Sequence, residues 1–203
     1  MRGKRLAVAF LALALVTWGI GALIVALGPR FDLPLVRDLH ATRGSGLALA
    51  ARTVTFFGSP PWLDLLAALA VLRLAWRRDR TALRLAVAFL GAVALHALIV
   101  RLVDRPRPPV AHLAAAAGAS FPSGHATESA ALYGALAWLV WRRVRGPWRV
   151  AAGALLLTLI AAIGLSRPVL GVHYPSDVLA GWLLAAGWLA VVLTRARSAR
   201  AAR

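Results

Sequence analysis

Two short stretches hold the residues best suited to acid–base and nucleophilic work. One runs Phe121-Pro122-Ser123-Gly124-His125; the other runs Ser166-Arg167 and then His173-Tyr174-Pro175-Ser176-Asp177. A helix opening near Pro175 would let the Asp177 carboxylate reach back to a ring nitrogen of His173. That contact fixes the tautomer and leaves the other nitrogen free to attack. His125 is then placed to protonate a leaving oxygen. Arginines at the mouth of an apolar bundle call for an anion, and guanidinium groups match phosphate oxygens in pairs. Arg107 and Arg167 are the candidates to stabilise a transferring phosphoryl group. Ser123-Gly124, at a helix start, adds backbone N–H donors, a hydroxyl and a place where no Cβ blocks the ligand.

The elements that must position these residues are apolar. The chain is 203 residues long and 61% hydrophobic, with a mean hydropathy of +0.74. Soluble domains sit nearer 45–50% apolar, so the excess implies a bilayer. Six apolar segments, at about 6–27, 61–76, 82–100, 125–141, 149–166 and 177–194, predict an all-α fold. We expect a six-transmembrane-helix bundle forming a single domain over 1–203. Trp76, Trp141, Trp148, Trp182 and Trp188 are read as interfacial anchors or lipid-facing groups. The long connection at 28–60 predicts short amphipathic helices over Phe31–His40 and Gly44–Phe57 and is read as an ordinary interfacial loop.

The formal net charge is +17. Its basic residues cluster in short turns between apolar runs, which fits membrane topology and anionic headgroups and argues against nucleic acid. The N-terminus, the turn at Arg77-Arg78-Asp79-Arg80, the turn at Arg142–Arg149 and the tail from Arg195 are the more basic connections. By the positive-inside rule they are cytoplasmic, so both termini lie inside and the candidate site faces outward, across the inner (plasma) membrane. With no cysteine in the chain, disulfides and thiolate metal sites are excluded.

Pro122-Ser123-Gly124-His125, and Ser166-Arg167 with His173 and Asp177 at set spacing, resemble the second and third motifs of the type 2 phosphatidic acid phosphatase superfamily. Arg107-Pro108 resembles the end of its first motif, and the resemblance spans about residues 60–195. It implies a cofactor-free, metal-independent phosphatase acting through a phosphohistidine on a lipid phosphate or diphosphate, such as undecaprenyl diphosphate, phosphatidic acid or phosphatidylglycerol phosphate. By the same resemblance His173 is the nucleophile, Asp177 its orienter and His125 the general acid. Arg107, Ser123, Gly124 and Arg167 bind phosphate. One position departs: the family's first-motif Lys corresponds to Val100, and the adjacent Arg101 is the candidate replacement.

Two other readings use the same residues. A catalytically degenerate protein that binds or transports lipid phosphate is the alternative suggested by Val100. A metal site built from the two histidines and Asp177 is the other, opposed by the arginines, which would repel a cation. His40, His96 and His112 match no motif, and His96 is read as a helix–helix hydrogen-bonding residue. Glu128 is expected to pair with an arginine, and Asp104 to neutralise Arg101 or Arg105.

Overall fold

The computed structural model describes residues 2–193, so the basic tail from Arg195 lies outside the described residues. Within them the chain is all-helical: α1 (Arg2–Leu27), α2 (Asp32–Leu39), α3 (Gly46–Phe56), α4 (Pro60–Trp76), α5 (Thr81–Leu102), α6 (Gly124–Arg143), α7 (Pro147–Val169) and α8 (Pro175–Leu193). The helix starts have local causes. Pro opens α4, α7 and α8, where its missing N–H costs nothing. The Ser45 hydroxyl caps α3 by accepting from the Ala48 N–H at 3.2 Å.

Five stretches are long and apolar enough to cross a membrane: Gly3–Leu27, Gly46–Trp76, Thr81–Leu102, Pro147–Val169 and Pro175–Leu193. The helix expected at 125–141 is present as α6 but falls outside this set. The reason is where it sits. Thr127, Glu128 and Ser129 are buried in its first turns, and α6 packs against α4, α5, α7 and α8. A helix enclosed by other helices meets little lipid and can hold polar side chains that find partners.

Close helix approach is bought with glycine. The Trp188 ring lies where a Cβ on Gly91 would stand, 2.4 Å from its Cζ2. Its Nε1 donates to the Val87 carbonyl at 3.1 Å. Trp188 is therefore buried between α5 and α8, not turned to lipid, while Trp76, Trp141 and Trp148 are exposed as expected.

Two opposite ends emerge. At one, Asp79 accepts from the Thr81 N–H at 2.9 Å and forms an ion pair with Arg143, joining the α4–α5 turn to the end of α6. At the other, the α5–α6 and α7–α8 connections bond to each other, with the Leu113 N–H donating to Leu170 O at 2.9 Å. The Ala41 N–H, just after α2, donates to Val169 O at 3.0 Å. Gly171 makes this corner possible. It has φ +72°, and a Cβ there would lie 2.8 Å from Val110 Cγ2 and 2.9 Å from Ala111 O.

Candidate active site

Asp177 is fully buried in the first turn of α8. One oxygen accepts from the Tyr174 N–H at 2.9 Å, satisfying a free donor at the helix start. The same oxygen accepts from the Ser120 hydroxyl at 2.5 Å. The other oxygen pairs with Arg105. The Asp177 carbonyl, in turn, accepts from the Ser123 N–H at 3.0 Å, tying α8 to the start of α6.

His173 sits between two partners that define its protons. Nδ1 lies 2.8 Å from the Ser120 carbonyl, which can only accept, so Nδ1 carries hydrogen. Nε2 lies 3.2 Å from Arg107 Nη1, which can only donate, so Nε2 presents its lone pair. Asp177 is 3.5 Å from Nδ1, so the direct acceptor is the Ser120 carbonyl and the carboxylate stands behind it. Burial pushes the His173 pKa down to about 4, opposed by Asp177 and reinforced by Arg167 and Arg107. The ring is neutral at pH 7, as a nucleophile requires.

Two buried donors of the sequence motifs are unmet. Arg167 is buried; its Nη1 donates to the Thr55 hydroxyl at 2.7 Å, while its Nε finds no acceptor. The buried Ser123 hydroxyl is likewise unpaired. His125 packs its Cδ2 toward Gly58, and its ring nitrogens bond to no described protein group. Gly124 faces the His96 ring, 2.7 Å from its Cε1 to an added Cβ. His96 Nδ1 meets Glu128 at 3.0 Å, so the helix–helix reading of His96 agrees with the structure, and the partner of Glu128 is a histidine instead of an arginine.

Arg107 is placed differently from a free phosphate clamp. Nε donates to Gly118 O at 3.1 Å, Nη2 to Ala117 O at 2.8 Å and Ala119 O at 3.2 Å, and Nη1 to Val172 O at 2.7 Å. It folds the α5–α6 connection around itself and keeps only the Nη1 contact for His173. Arg101 is exposed and outside this network. One residue along a helix is about 100° of rotation, which turns Arg101 outward while Val100 stays half-buried. It is therefore not joined to the phosphate-binding set.

Ser120, Asp32 and Thr55 were not read from the sequence, whereas Arg105 was read there as a support for the site. Ser120 holds both His173 and Asp177. Arg105 pairs with Asp177 and, at 2.7 Å, with Asp32, so the exposed Asp104 is not its counter-ion. Thr55 on α3 holds Arg167. Asp32 and Thr55 both come from the 28–60 stretch, which therefore contributes to the site and is not merely an interfacial loop. A polar residue opening an amphipathic helix, as Asp32 does, was the available signal. The donor chemistry does not suit a metal: both oxygens of Asp177 are engaged by Arg105, Ser120 and Tyr174, leaving no carboxylate to complete a His–His–Asp set.

The model of the PAP2 superfamily matches residues 81–200. The chain is 41% identical to the decaprenylphosphoryl-5-phosphoribose phosphatase of Mycolicibacterium smegmatis over 157 residues, covering 74% of this chain and 80% of that protein. Its fold is similar to a transmembrane PAP2-type phosphatidylglycerolphosphate phosphatase from Bacillus subtilis, with a TM-score of 0.75, 23% identity and coverage of 93% and 92% of the two chains. It is also similar to Aquifex aeolicus LpxE, with a TM-score of 0.64, 22% identity and coverage of 80% and 94%. With the two histidines, the aspartate and the arginines gathered at one end of a multi-pass helical bundle, the chain belongs to the PAP2 superfamily and is a membrane phosphatase.

Proposed function

We propose that the protein hydrolyses a lipid-linked phosphate or diphosphate through a phosphohistidine at His173. The observation that carries this reading is the fixed tautomer of His173, with Nε2 turned toward Arg107 beside the unpaired donors of Ser123 and Arg167. In the first step the Nε2 lone pair attacks phosphorus as the bond to the leaving oxygen breaks. His125 gives that oxygen its proton, the charge of the bound phosphate favouring the protonated imidazole. Use of the Nε2 lone pair also releases the Arg107 N–H that faced it, which becomes available to a phosphoryl oxygen. Arg167, the Ser123 hydroxyl and the N–H groups at the start of α6 hold the remaining charge. Water then attacks phosphorus as the Nε2–P bond breaks, His125 takes its proton, and phosphate leaves a neutral His173.

The substrate placed first is a polyprenyl-linked sugar phosphate, suggested by the mycobacterial-type relative; undecaprenyl diphosphate, phosphatidic acid and phosphatidylglycerol phosphate follow. We further propose a single domain of six spans, with α6 as the fourth, lying in the inner membrane with both termini cytoplasmic and the site outward. The basic turns at the far end of the bundle support this orientation. The test is phosphate release by detergent-purified protein from this lipid panel, with chelator present and His173→Ala alongside. Release by wild type alone supports the mechanism, and its rates rank the substrates. Release by His173→Ala at the wild-type rate would sink it.

A further inference from the structure

Arg105 is buried and belongs to no step of the reaction above, yet it forms ion pairs with two carboxylates. Nη1 donates to Ser176 Oγ at 2.8 Å and to Asp177, and Nη2 donates to Asp32 at 2.7 Å. The Tyr174 ring covers its face at 4.0 Å. Asp32 also accepts from the Ser176 N–H at 3.1 Å and from the Ser176 hydroxyl. One carboxylate would neutralise this guanidinium. It has two, so the row Asp32–Arg105–Asp177 holds one excess negative charge.

That excess faces His173. When the Nε2–P bond forms and the bond to the leaving oxygen breaks, the ring keeps its Nδ1 hydrogen and becomes a cation. Asp177 lies 3.5 Å from Nδ1. Paired with Arg105 alone, its charge would be largely cancelled. We infer that Asp32 and Arg105 are positioning residues for the phosphoryl-transfer step: Arg105 fixes the Asp177 carboxylate behind His173, and Asp32 restores the negative charge that Arg105 would cancel. α2 is thereby part of the catalytic apparatus, although it carries no group that touches substrate.

This inference rests on the phosphohistidine reading, and rapid-quench labelling with 32P-lipid phosphate separates the two. Asp32→Asn keeps one oxygen for Arg105 and the Ser176 hydroxyl, which share Oδ2, removes the charge and turns its amide nitrogen toward the Ser176 N–H. Its phosphoenzyme formation and kcat should fall about tenfold, less than for a donor touching the reacting atoms, with KM held and the melting temperature in detergent lowered only by the one unmet Ser176 N–H. Asp104→Asn makes the same charge change at an exposed carboxylate and should run as wild type. Arg105→Lys keeps the charge but cannot span Asp32, Ser176 and Asp177, so it too should lose kcat and not KM. Asp32→Asn or Arg105→Lys labelling at the wild-type rate, or a loss confined to KM, would overturn the inference alone. A wild type that never labels on histidine would overturn the mechanism and this inference with it.

Discussion

Replacing Asp177 with Asn should damage the fold as well as the reaction. The carboxylate serves donors on both oxygens: Arg105 on one, the Tyr174 N–H and the Ser120 hydroxyl on the other. Asn offers one oxygen. If that oxygen faces Arg105, the amide nitrogen faces the Tyr174 N–H, and a buried donor is stranded. If it is flipped, the amide meets the guanidinium. A stranded buried donor costs about 1–3 kcal/mol. Removing one partner of a buried ion pair costs about 3–5 kcal/mol, here softened because Arg105 keeps Asp32. We expect a net loss of about 3 kcal/mol, which for a chain of this length lowers the melting temperature by about 6–12 °C. Thermal unfolding in detergent, beside activity measured well below the transition, reads both effects. A variant that is inactive yet melts within about 2 °C of wild type would show that Asp177 does not carry the structural load assigned to it.

Three further outcomes follow from the geometry. Thr55→Val removes the acceptor of Arg167 Nη1, and loss of a hydrogen bond to a charged group, about 1.5–3 kcal/mol, should cut kcat/KM by about tenfold or more; wild-type kinetics would detach α3 from the site. Gly124→Ala places a Cβ 2.7 Å from the His96 ring, which Glu128 holds, so the Ser123–His125 turn must shift. Its kcat/KM should drop on the order of 100-fold with little change in melting. His173, with its pKa depressed to about 4, keeps its lone pair through pH 5 in the free enzyme, so kcat/KM should show no His173 limb near 6.5. The same depression means that the unfolded chain binds a proton first, so stability present above pH 6.5 is lost as pH falls toward 4.

The apolar runs read from the sequence lie within two or three residues of α4, α5, α7 and α8, because long hydrophobic segments bounded by Arg, Pro and Gly leave few alternatives. α2 and α3 were equally visible as amphipathic stretches. What they do was not. Asp32 meets Ser176 and Thr55 meets Arg167 across 144 and 112 residues, and a lone Asp or Thr in a short helix carries no periodic signal. Ser120 was hidden for another reason: its carbonyl holds His173, and a backbone acceptor leaves no trace in residue type. Arg107 was legible only in part, since its motif position announced an arginine but not the four carbonyls it binds. α6 matched its expected place while missing the apolarity of a span, because its neighbours, and not lipid, surround it.

The tether from Asp32 to Ser176 also governs when the site comes into being. At about 5–20 residues per second, a ribosome needs roughly 7–30 s to travel the 144 positions between them. Through that interval Asp32 is made and its partners in α8 are not. His173 and Asp177 themselves emerge last, so a nascent chain with its first helices already placed holds no assembled centre. Hydrolytic capacity appears only on entry of the final helix, and an unfinished chain is silent toward the phosphates around it.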